Sequence, residues 1–190
     1  MLITWFAVIA QFVIMIQNRV ESVPETIIRF FSFFTILTNT LVAVYFTLQL
    51  FSKKEPKSGG LTAVTLYITI VGLVYQIVLR PIWNPEGMQM FVDELLHSIV
   101  PVCVLIYWML FENKRTVKWN QIPKWLIYPL IYLVFILIRG NLSNFYPYPF
   151  VNVYELGMST VLLNSVILMV VFIVIATILL GLGKLSSKNR

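Results

Sequence analysis

Six apolar runs, separated by short polar segments, account for most of the chain. The runs are Leu2–Gln17, Phe30–Phe51, Leu61–Leu79, Met90–Phe111, Pro123–Ile138 and Met158–Leu182. A transmembrane helix needs roughly 20 mainly apolar residues, and the runs are of about that length. The first run lacks the basic segment and the small-residue cleavage site of a signal peptide. The pattern therefore predicts an all-α integral membrane protein, in which residues 1–190 form one bundle of six transmembrane helices.

The composition excludes the soluble and the disordered classes of protein. Hydrophobic residues make up 59% of the 190 residues and charged residues only 12%, whereas soluble domains have about 45–50% and about 25%. Disordered chains are poor in apolar residues, and this chain is rich in them. Six spans leave no room for a soluble catalytic domain, so any chemistry must be built from the helices and their loops. One cysteine and one histidine cannot form a disulfide or an ordinary zinc site, and we predict neither a metal nor another cofactor.

The lysines and arginines are distributed unequally between alternate polar segments. Ten lie in the second segment, the fourth segment and the C-terminal tail, and four lie in the other three segments. The ten are Lys53, Lys54, Lys57, Lys114, Arg115, Lys118, Lys124, Lys184, Lys188 and Arg190. Positive charge is enriched in cytoplasmic loops, so we expect both termini to face the cytoplasm, in a multi-pass protein of the plasma membrane. This topology explains the net charge of +6, which therefore does not indicate binding to nucleic acid.

Polar side chains in the second span share one face of the predicted helix. Thr35, Thr38 and Asn39 are spaced i, i+3 and i+4, which places them on one side of a helix. Hydroxyl groups in membrane helices often bond only to a backbone carbonyl or to a neighbouring helix. The face alone therefore does not distinguish a functional site from packing.

The fourth span contains a cluster of ionisable residues. Asp93, Glu94 and His97 are spaced i, i+1 and i+4, so either carboxylate can approach the imidazole from the preceding turn. Ionisable side chains inside a membrane are costly and usually mark function. Pro101 follows His97 by four residues and removes the hydrogen bond to its carbonyl, which predicts a kink beside the only histidine.

Under the predicted topology, the second and fourth spans both run from the outside inwards. Thr35 then lies roughly 6 Å below Phe31, and His97 roughly 9 Å below Phe91, at 1.5 Å per residue. The hydroxyl and the imidazole are thus expected at similar depth. Other polar residues expected towards the same side of the membrane are Arg80, Arg139 and Asn164.

These residues are suited to nucleophilic acyl transfer on a lipid ester. A threonine hydroxyl is a weak nucleophile until a base removes its proton, and histidine is the side chain best suited to that role near neutral pH. The spacing does not distinguish Thr35 from Thr38 as the nucleophile. Nor does it decide whether Asp93 or Glu94 orients the base, as the third member of a catalytic triad does. The donors available to a developing oxyanion are Asn39, Asn164, Arg80 and Arg139.

Four stretches of the chain resemble a known family of six-span membrane proteins. They are Phe31–Asn39 (FSFFTILTN), Leu95–Pro101 (LLHSIVP), Trp125–Gly140 (WLIYPLIYLVFILIRG) and Phe145–Val153 (FYPYPFVNV). Together they resemble the family of androgen-induced gene 1 protein and androgen-dependent TFPI-regulating protein, specifically its bacterial relatives. The resemblance covers nearly the whole chain and implies the same layout of six helices.

The resemblance also implies an activity. Animal members of that family are threonine hydrolases that act on fatty acid esters of hydroxy fatty acids. Their threonine matches Thr35 rather than Thr38, and their histidine matches His97, although their proline lies one position later than Pro101 does here. The resemblance thus implies a hydrolase embedded in a bacterial inner membrane, with Thr35 as the nucleophile, His97 as the base and a lipid-like ester as the substrate.

Two other functions fit the same residues. Intramembrane ionisable side chains can line the path of a transported substrate or proton, or a lipid-binding site. Many transporters have internal duplications and paired broken helices, and the sequence contains neither. The third alternative is a membrane scaffold without activity, in which the polar face only joins one helix to another.

Overall fold

The structure is a computed structural model that describes residues 1–52 and 58–188. Every element in these ranges is helical, which confirms the predicted all-α class. Some of the charges used for the topology lie outside the described residues. They are Lys53, Lys54, Lys57, the side chain of Lys188, and Arg190.

Within the described ranges, five helices are long and apolar enough to cross a membrane. They are Phe34–Phe51, Gly60–Leu79, Gly87–Phe111, Trp119–Ser143 and Met158–Leu185. The first predicted span, Leu2–Gln17, is a helix with the predicted ends, but its 16 residues make it shorter than these five. The set is consistent with a multi-pass integral membrane protein.

The described chain forms two compact units, Met1–Asn113 and a second that begins at Lys114. The first unit contains six α-helices: α1 (Leu2–Gln17), α2 (Val23–Ser32), α3 (Phe34–Phe51), α4 (Gly60–Val74), α5 (Gly87–Glu94) and α6 (Val100–Phe111). One π turn extends α4, and a second joins α5 to α6. Thr35 and His97, which are called the dyad below, both belong to this unit.

The predicted second span is not one helix, because the chain leaves the helical conformation at Phe33. This residue has φ −81° and ψ 125° and separates α2 from α3. Thr35 therefore lies in the first turn of α3, whereas the hydropathy pattern places it inside a continuous helix. Thr38 and Asn39 still share its face of α3, and all three side chains are buried.

Two π turns interrupt the α-helical hydrogen bonding, at Tyr75–Leu79 and at Leu95–Ile99. Each turn is followed, after one further residue, by a proline, Pro81 in the first case and Pro101 in the second. Distortion was expected beside His97 because proline lacks an N–H group, and it takes the form of the second π turn. Such turns are rare and are found frequently at functional sites.

The second π turn leaves one carbonyl group without its regular partner. The N–H of Val100 donates to the carbonyl of Leu95, five residues earlier. The same register would pair the carbonyl of Leu96 with the nitrogen of Pro101, which carries no hydrogen. The Leu96 carbonyl therefore needs a donor from another element.

Two apolar clusters fill the interior of the first unit. The first contains Ala7, Val8, Phe30, Ile36, Val92, Leu95 and Leu96. The second contains Val42, Val64, Ile68, Val71, Val100 and Val104. The turn that carries His97 lies between residues of the two clusters and is therefore firmly packed. Gly72 allows α4 to approach this turn, since an added Cβ would lie 3.2 Å from the carbonyl oxygen of His97.

A carboxylate caps the N-terminus of α4. Glu112, which follows α6 directly, accepts hydrogen bonds from the backbone N–H and from Oγ1 of Thr62, both at 2.9 Å. Nε1 of Trp108 donates to the same Oγ1, also at 2.9 Å. Negative charge is favourable at a helix N-terminus, so these contacts attach the end of α6 to the start of α4.

The second unit contains α7 (Ile122–Trp125), α8 (Ile127–Ser143), α9 (Val153–Leu156) and the long α10 (Met158–Lys188). Tyr146 packs so closely on Gly140 that no Cβ could be accommodated there. Nδ2 of Asn164 donates to the carbonyl of Phe150 at 3.0 Å. These contacts attach the aromatic segment between α8 and α9 to the two long helices.

Candidate functional site

The structure brings the hydroxyl of Thr35 and the imidazole of His97 together. Oγ1 of Thr35 lies 3.2 Å from Nε2 of His97. The two residues are 62 positions apart in sequence and are carried by α3 and by the second π turn. Each has 8% of its surface exposed, so the pair lies just beneath the surface of the first unit. It is Thr35 that makes this contact, whereas Thr38 lies one turn further along α3 and is wholly buried.

The other nitrogen of the ring is held by Asp93. Nδ1 of His97 lies 2.9 Å from the backbone carbonyl oxygen of Asp93 and 3.5 Å from its carboxylate oxygen Oδ1. A carbonyl oxygen can only accept, so a neutral imidazole must carry its hydrogen on Nδ1. Nε2 is then the free acceptor, and the hydroxyl of Thr35 donates to it. The pair has the hydrogen-bond polarity that a nucleophile and its general base require.

An aromatic ring supports the imidazole from one side. The ring of Tyr75 stacks on that of His97, with 4.1 Å between centroids and 14° between planes. Tyr75 is almost completely buried, and its hydroxyl lies near the carboxylate of Asp93 and the guanidinium of Arg80. The stack limits rotation of the imidazole, so Nε2 stays directed towards Thr35.

Asn39 fixes the distance between the two elements that carry the dyad. Its Nδ2 donates to the carbonyl of Thr35 at 2.9 Å and to the carbonyl of Leu96 at 3.3 Å. The second bond supplies the donor that the π turn leaves missing. Both hydrogens of the amide are engaged in these bonds, so in this structure Asn39 holds the two elements together, and its predicted role as an oxyanion donor stays a prediction.

Glu94 points to a separate polar network. It forms an ion pair with Arg80 and accepts a hydrogen bond from Oγ of Ser98 at 2.6 Å. That hydroxyl in turn accepts from Nε2 of Gln76 at 2.8 Å. The network links the two π turns at the surface of the first unit. Of the two carboxylates considered from the sequence, Asp93 is therefore the one beside His97.

Arg80 interacts with two neighbouring side chains in the structure. Its guanidinium pairs with Glu94 and lies 5.6 Å from the centroid of the Tyr75 ring. The remaining two predicted donors belong to the second unit. Arg139 lies on α8, and Asn164 on α10 binds the carbonyl of Phe150.

Within the described ranges, no three His, Cys, Asp or Glu side chains are grouped as a metal ion would require. The dyad is nevertheless complete as an acid–base unit, because it has a hydroxyl, a base and an anchor for that base. An arrangement of this kind can transfer a proton from the hydroxyl to Nε2 as the oxygen attacks an electrophilic carbon.

Sequence reasoning did not identify Tyr75 as part of the site, or Gln76 and Ser98 as members of the neighbouring polar network. All three belong to π turns, and their role depends on contacts between α4 and the fourth predicted span. The one cue in the sequence is a proline, Pro81 or Pro101, shortly after each distorted turn, and it does not identify the side chains that meet there.

Comparison of the chain with protein-family models, with curated proteins and with solved structures finds no match.

Proposed function

We propose that the protein is a membrane-embedded hydrolase that cleaves a lipid-like ester through Thr35 and His97. The observation that carries this proposal is the 3.2 Å contact between Oγ1 of Thr35 and Nε2 of His97, with Nδ1 held by the carbonyl of Asp93. The substrate class is an ester of fatty acids, including a fatty acid esterified to a hydroxy fatty acid. The partners are this substrate and the surrounding membrane lipids.

The reaction has two halves. In the first, Oγ1 of Thr35 attacks the carbonyl carbon of the ester, its proton passes to Nε2 of His97, and the alcohol leaves with that proton. In the second, water attacks the acyl-threonine and gives its proton to Nε2. The carboxylic acid then departs, and the proton returns to Oγ1 of Thr35. General-base assistance of this kind contributes about 10²–10⁴-fold to the rate.

The position of Thr35 in α3 supports the stabilisation of negative charge. A helix N-terminus has a partial positive charge, and helical side chains tilt towards it. The Thr35 side chain is in the first turn of an 18-residue helix, so charge that develops beside its oxygen lies in a favourable field. In the proposed reaction, this field stabilises the oxyanion, the role that the sequence analysis considered for amide and guanidinium side chains.

The proposal includes a membrane, a topology and a family for the chain. We place the chain in a bacterial inner membrane with six spans and both termini in the cytoplasm, as a relative of the androgen-induced gene 1 family. The excess of lysine and arginine in alternate segments supports the orientation. In this topology the dyad lies near the outer surface of the membrane.

The test measures ester hydrolysis and probe labelling by the purified protein in detergent. The wild type should hydrolyse a p-nitrophenyl fatty ester, and a fluorophosphonate probe should label it on Thr35. Thr35→Val should abolish both signals, and His97→Ala should lower kcat by about 10²–10⁴-fold. Hydrolysis by Thr35→Val at the wild-type rate would refute the proposal.

The matched control is Thr38→Val. Thr38 is a buried threonine on the same face of the same helix, so this variant carries an equivalent loss of a hydroxyl. It should keep both hydrolysis and labelling. A Thr35→Ser variant should also keep the labelling, because it retains the nucleophilic oxygen.

A further inference from the structure

The short helix α2 has one side that is apolar and yet exposed. At about 100° per residue, five side chains of this helix lie within an arc of about 140°. They are Val23, Pro24, Ile27, Ile28 and Phe31, and all five are exposed. We refer to this arc as the apolar face of α2. A different side of the helix, which carries Thr26 and Phe30, is buried.

The charged residues of α2 lie between its apolar face and its buried side. Arg29 forms ion pairs with Glu25 and with Glu21, both at 2.9 Å, and all three side chains are partly exposed. Ionised groups are costly in hydrocarbon, so this cluster belongs in water or among polar headgroups. A helix with an apolar face beside a charged one is typical of a segment that lies in the plane of the membrane interface.

The ends of α2 show that it is an element of its own and not the first turns of the following span. At its start, Oγ of Ser22 accepts a hydrogen bond from the N–H of Glu25, and Pro24 lies in the first turn. At its end, the extended residue Phe33 separates it from α3. The segment that precedes α2, residues 18–22, is exposed.

The length of α3 places α2 outside the hydrocarbon core. The 18 residues of α3 measure about 27 Å at 1.5 Å per residue, close to the core thickness of about 30 Å. A straight helix over residues 23–51 would measure about 44 Å, which is more than the core requires. The 10 residues of α2 are too few to cross a membrane by themselves.

We propose that α2 binds the bilayer as an interfacial helix, with its apolar face among the acyl chains and its charged cluster among the headgroups. The ligand is lipid at the boundary between headgroups and acyl chains. The adjoining helix α3 continues the lipid-facing surface, since its Val44 and Leu48 are also exposed. An interfacial α2 holds the start of α3 at this boundary, and Thr35 is the second residue of α3. The inference does not depend on the hydrolase function.

The test measures the depth of spin labels on α2 in vesicles of phosphatidylcholine and phosphatidylglycerol. Cys103 is the only cysteine, so Cys103→Ser provides a background for Val23→Cys, Ile27→Cys and Phe31→Cys, each carrying a nitroxide. Power saturation compares collisions with oxygen, which concentrates in lipid, and with a water-soluble nickel chelate. All three labels should favour oxygen and lie at one shared depth, about 5–10 Å below the headgroups. A label at Glu21→Cys should favour the nickel chelate.

Val44→Cys and Leu48→Cys are the matched controls, because both positions are exposed and lie one turn apart on α3. Their labels should differ in depth by about 6 Å, the rise of four residues along a transmembrane helix. The same 6 Å step between successive labels on α2 would show that it continues the span and would overturn the inference. Preference for the nickel chelate at all three positions, or protection from both reagents, would overturn it as well.

A second measurement asks whether the apolar face holds α2 in the membrane. Ile27→Asp should raise the collision of a Val23→Cys label with the nickel chelate several-fold and leave a Val44→Cys label unchanged, which also shows that the fold is intact. Ile27→Leu keeps the apolar face and should leave both labels unchanged. A Val23→Cys label that does not respond to Ile27→Asp would refute the proposal. Since no substrate is present, failure of the hydrolase proposal would leave these results unaffected.

Discussion

Replacing Thr35 with valine should shift the ¹⁵N NMR signal of Nε2 of His97 and leave the signal of Nδ1 unchanged. The wild-type imidazole is expected in a single tautomer with its hydrogen on Nδ1. Moving the hydrogen to Nε2 would lose the 2.9 Å bond to the Asp93 carbonyl and leave two buried acceptors facing each other, at a cost of about 1–3 kcal/mol. At 1.4 kcal/mol per tenfold, the expected tautomer is favoured by about 5-fold to about 150-fold.

The chain has one histidine, so protein made with ¹⁵N-labelled histidine gives one pair of ring signals. In detergent, at a pH where the ring is neutral, Nδ1 should resonate as a protonated nitrogen and Nε2 as an unprotonated one. Thr35→Val removes the donor at 3.2 Å with little change in volume. The Nε2 signal should then move towards that of a nitrogen without a hydrogen bond, while Nδ1 stays in place.

Thr38→Val serves as the control and should leave both signals unchanged. A wild-type imidazole with its hydrogen on Nε2 would contradict the assigned polarity of the dyad. So would an Nε2 signal that does not respond to Thr35→Val. Because no substrate is involved, this result is independent of whether the correct ester has been found.

Three further substitutions test two supports of the site and the cap of α4. Tyr75→Leu should lower kcat by about 2-fold to about 10-fold more than Tyr75→Phe, because only Phe keeps the stack, worth about 0.5–1.5 kcal/mol; equal rates would show that the ring does not position the base. Asn39→Leu should lower the free energy of unfolding in detergent by about 1–3 kcal/mol, as two buried hydrogen bonds are lost, and unchanged stability would contradict the bridging role. Glu112→Ala should destabilise by about 1.5–3 kcal/mol, the usual range for hydrogen bonds to a charged group, in a chemical unfolding assay. The double variant Glu112→Ala/Thr62→Val should lose less unfolding free energy than the sum of the losses in the two single variants. Full additivity would argue against the cap.

Hydropathy predicted the helices well because burial in a membrane and helical hydrogen bonding impose the same constraint on every span. The first predicted run, Leu2–Gln17, has the same ends as the helix in the structure, and the other predicted runs lie within a few residues of helices. The break at Phe33 was not predicted, since the residues on both sides of it are as apolar as those of a continuous helix. A break of one residue changes backbone dihedrals without changing the pattern of hydrophobicity.

The site was predictable only where local spacing decides the geometry. The i, i+4 relation correctly brings Asp93 beside His97, but it cannot show that the backbone carbonyl makes the shorter contact. Glu94 is adjacent to Asp93 in sequence, yet the direction of its side chain depends on the ion pair with Arg80. The stack of Tyr75 on His97 depends on how two distant segments pack, and spacing within one helix carries no information about it.

The anchor of the base has a consequence for how the site tolerates sequence change. Main-chain atoms are common to every residue type, so substitution at position 93 can remove the carboxylate but not the carbonyl that receives the imidazole hydrogen. A substitution at position 93 would therefore change the buried charge 3.5 Å from Nδ1 and leave the bond that fixes the tautomer in place. The hydroxyl and the imidazole have no such substitute, and in the proposed hydrolase selection would act on those two side chains directly.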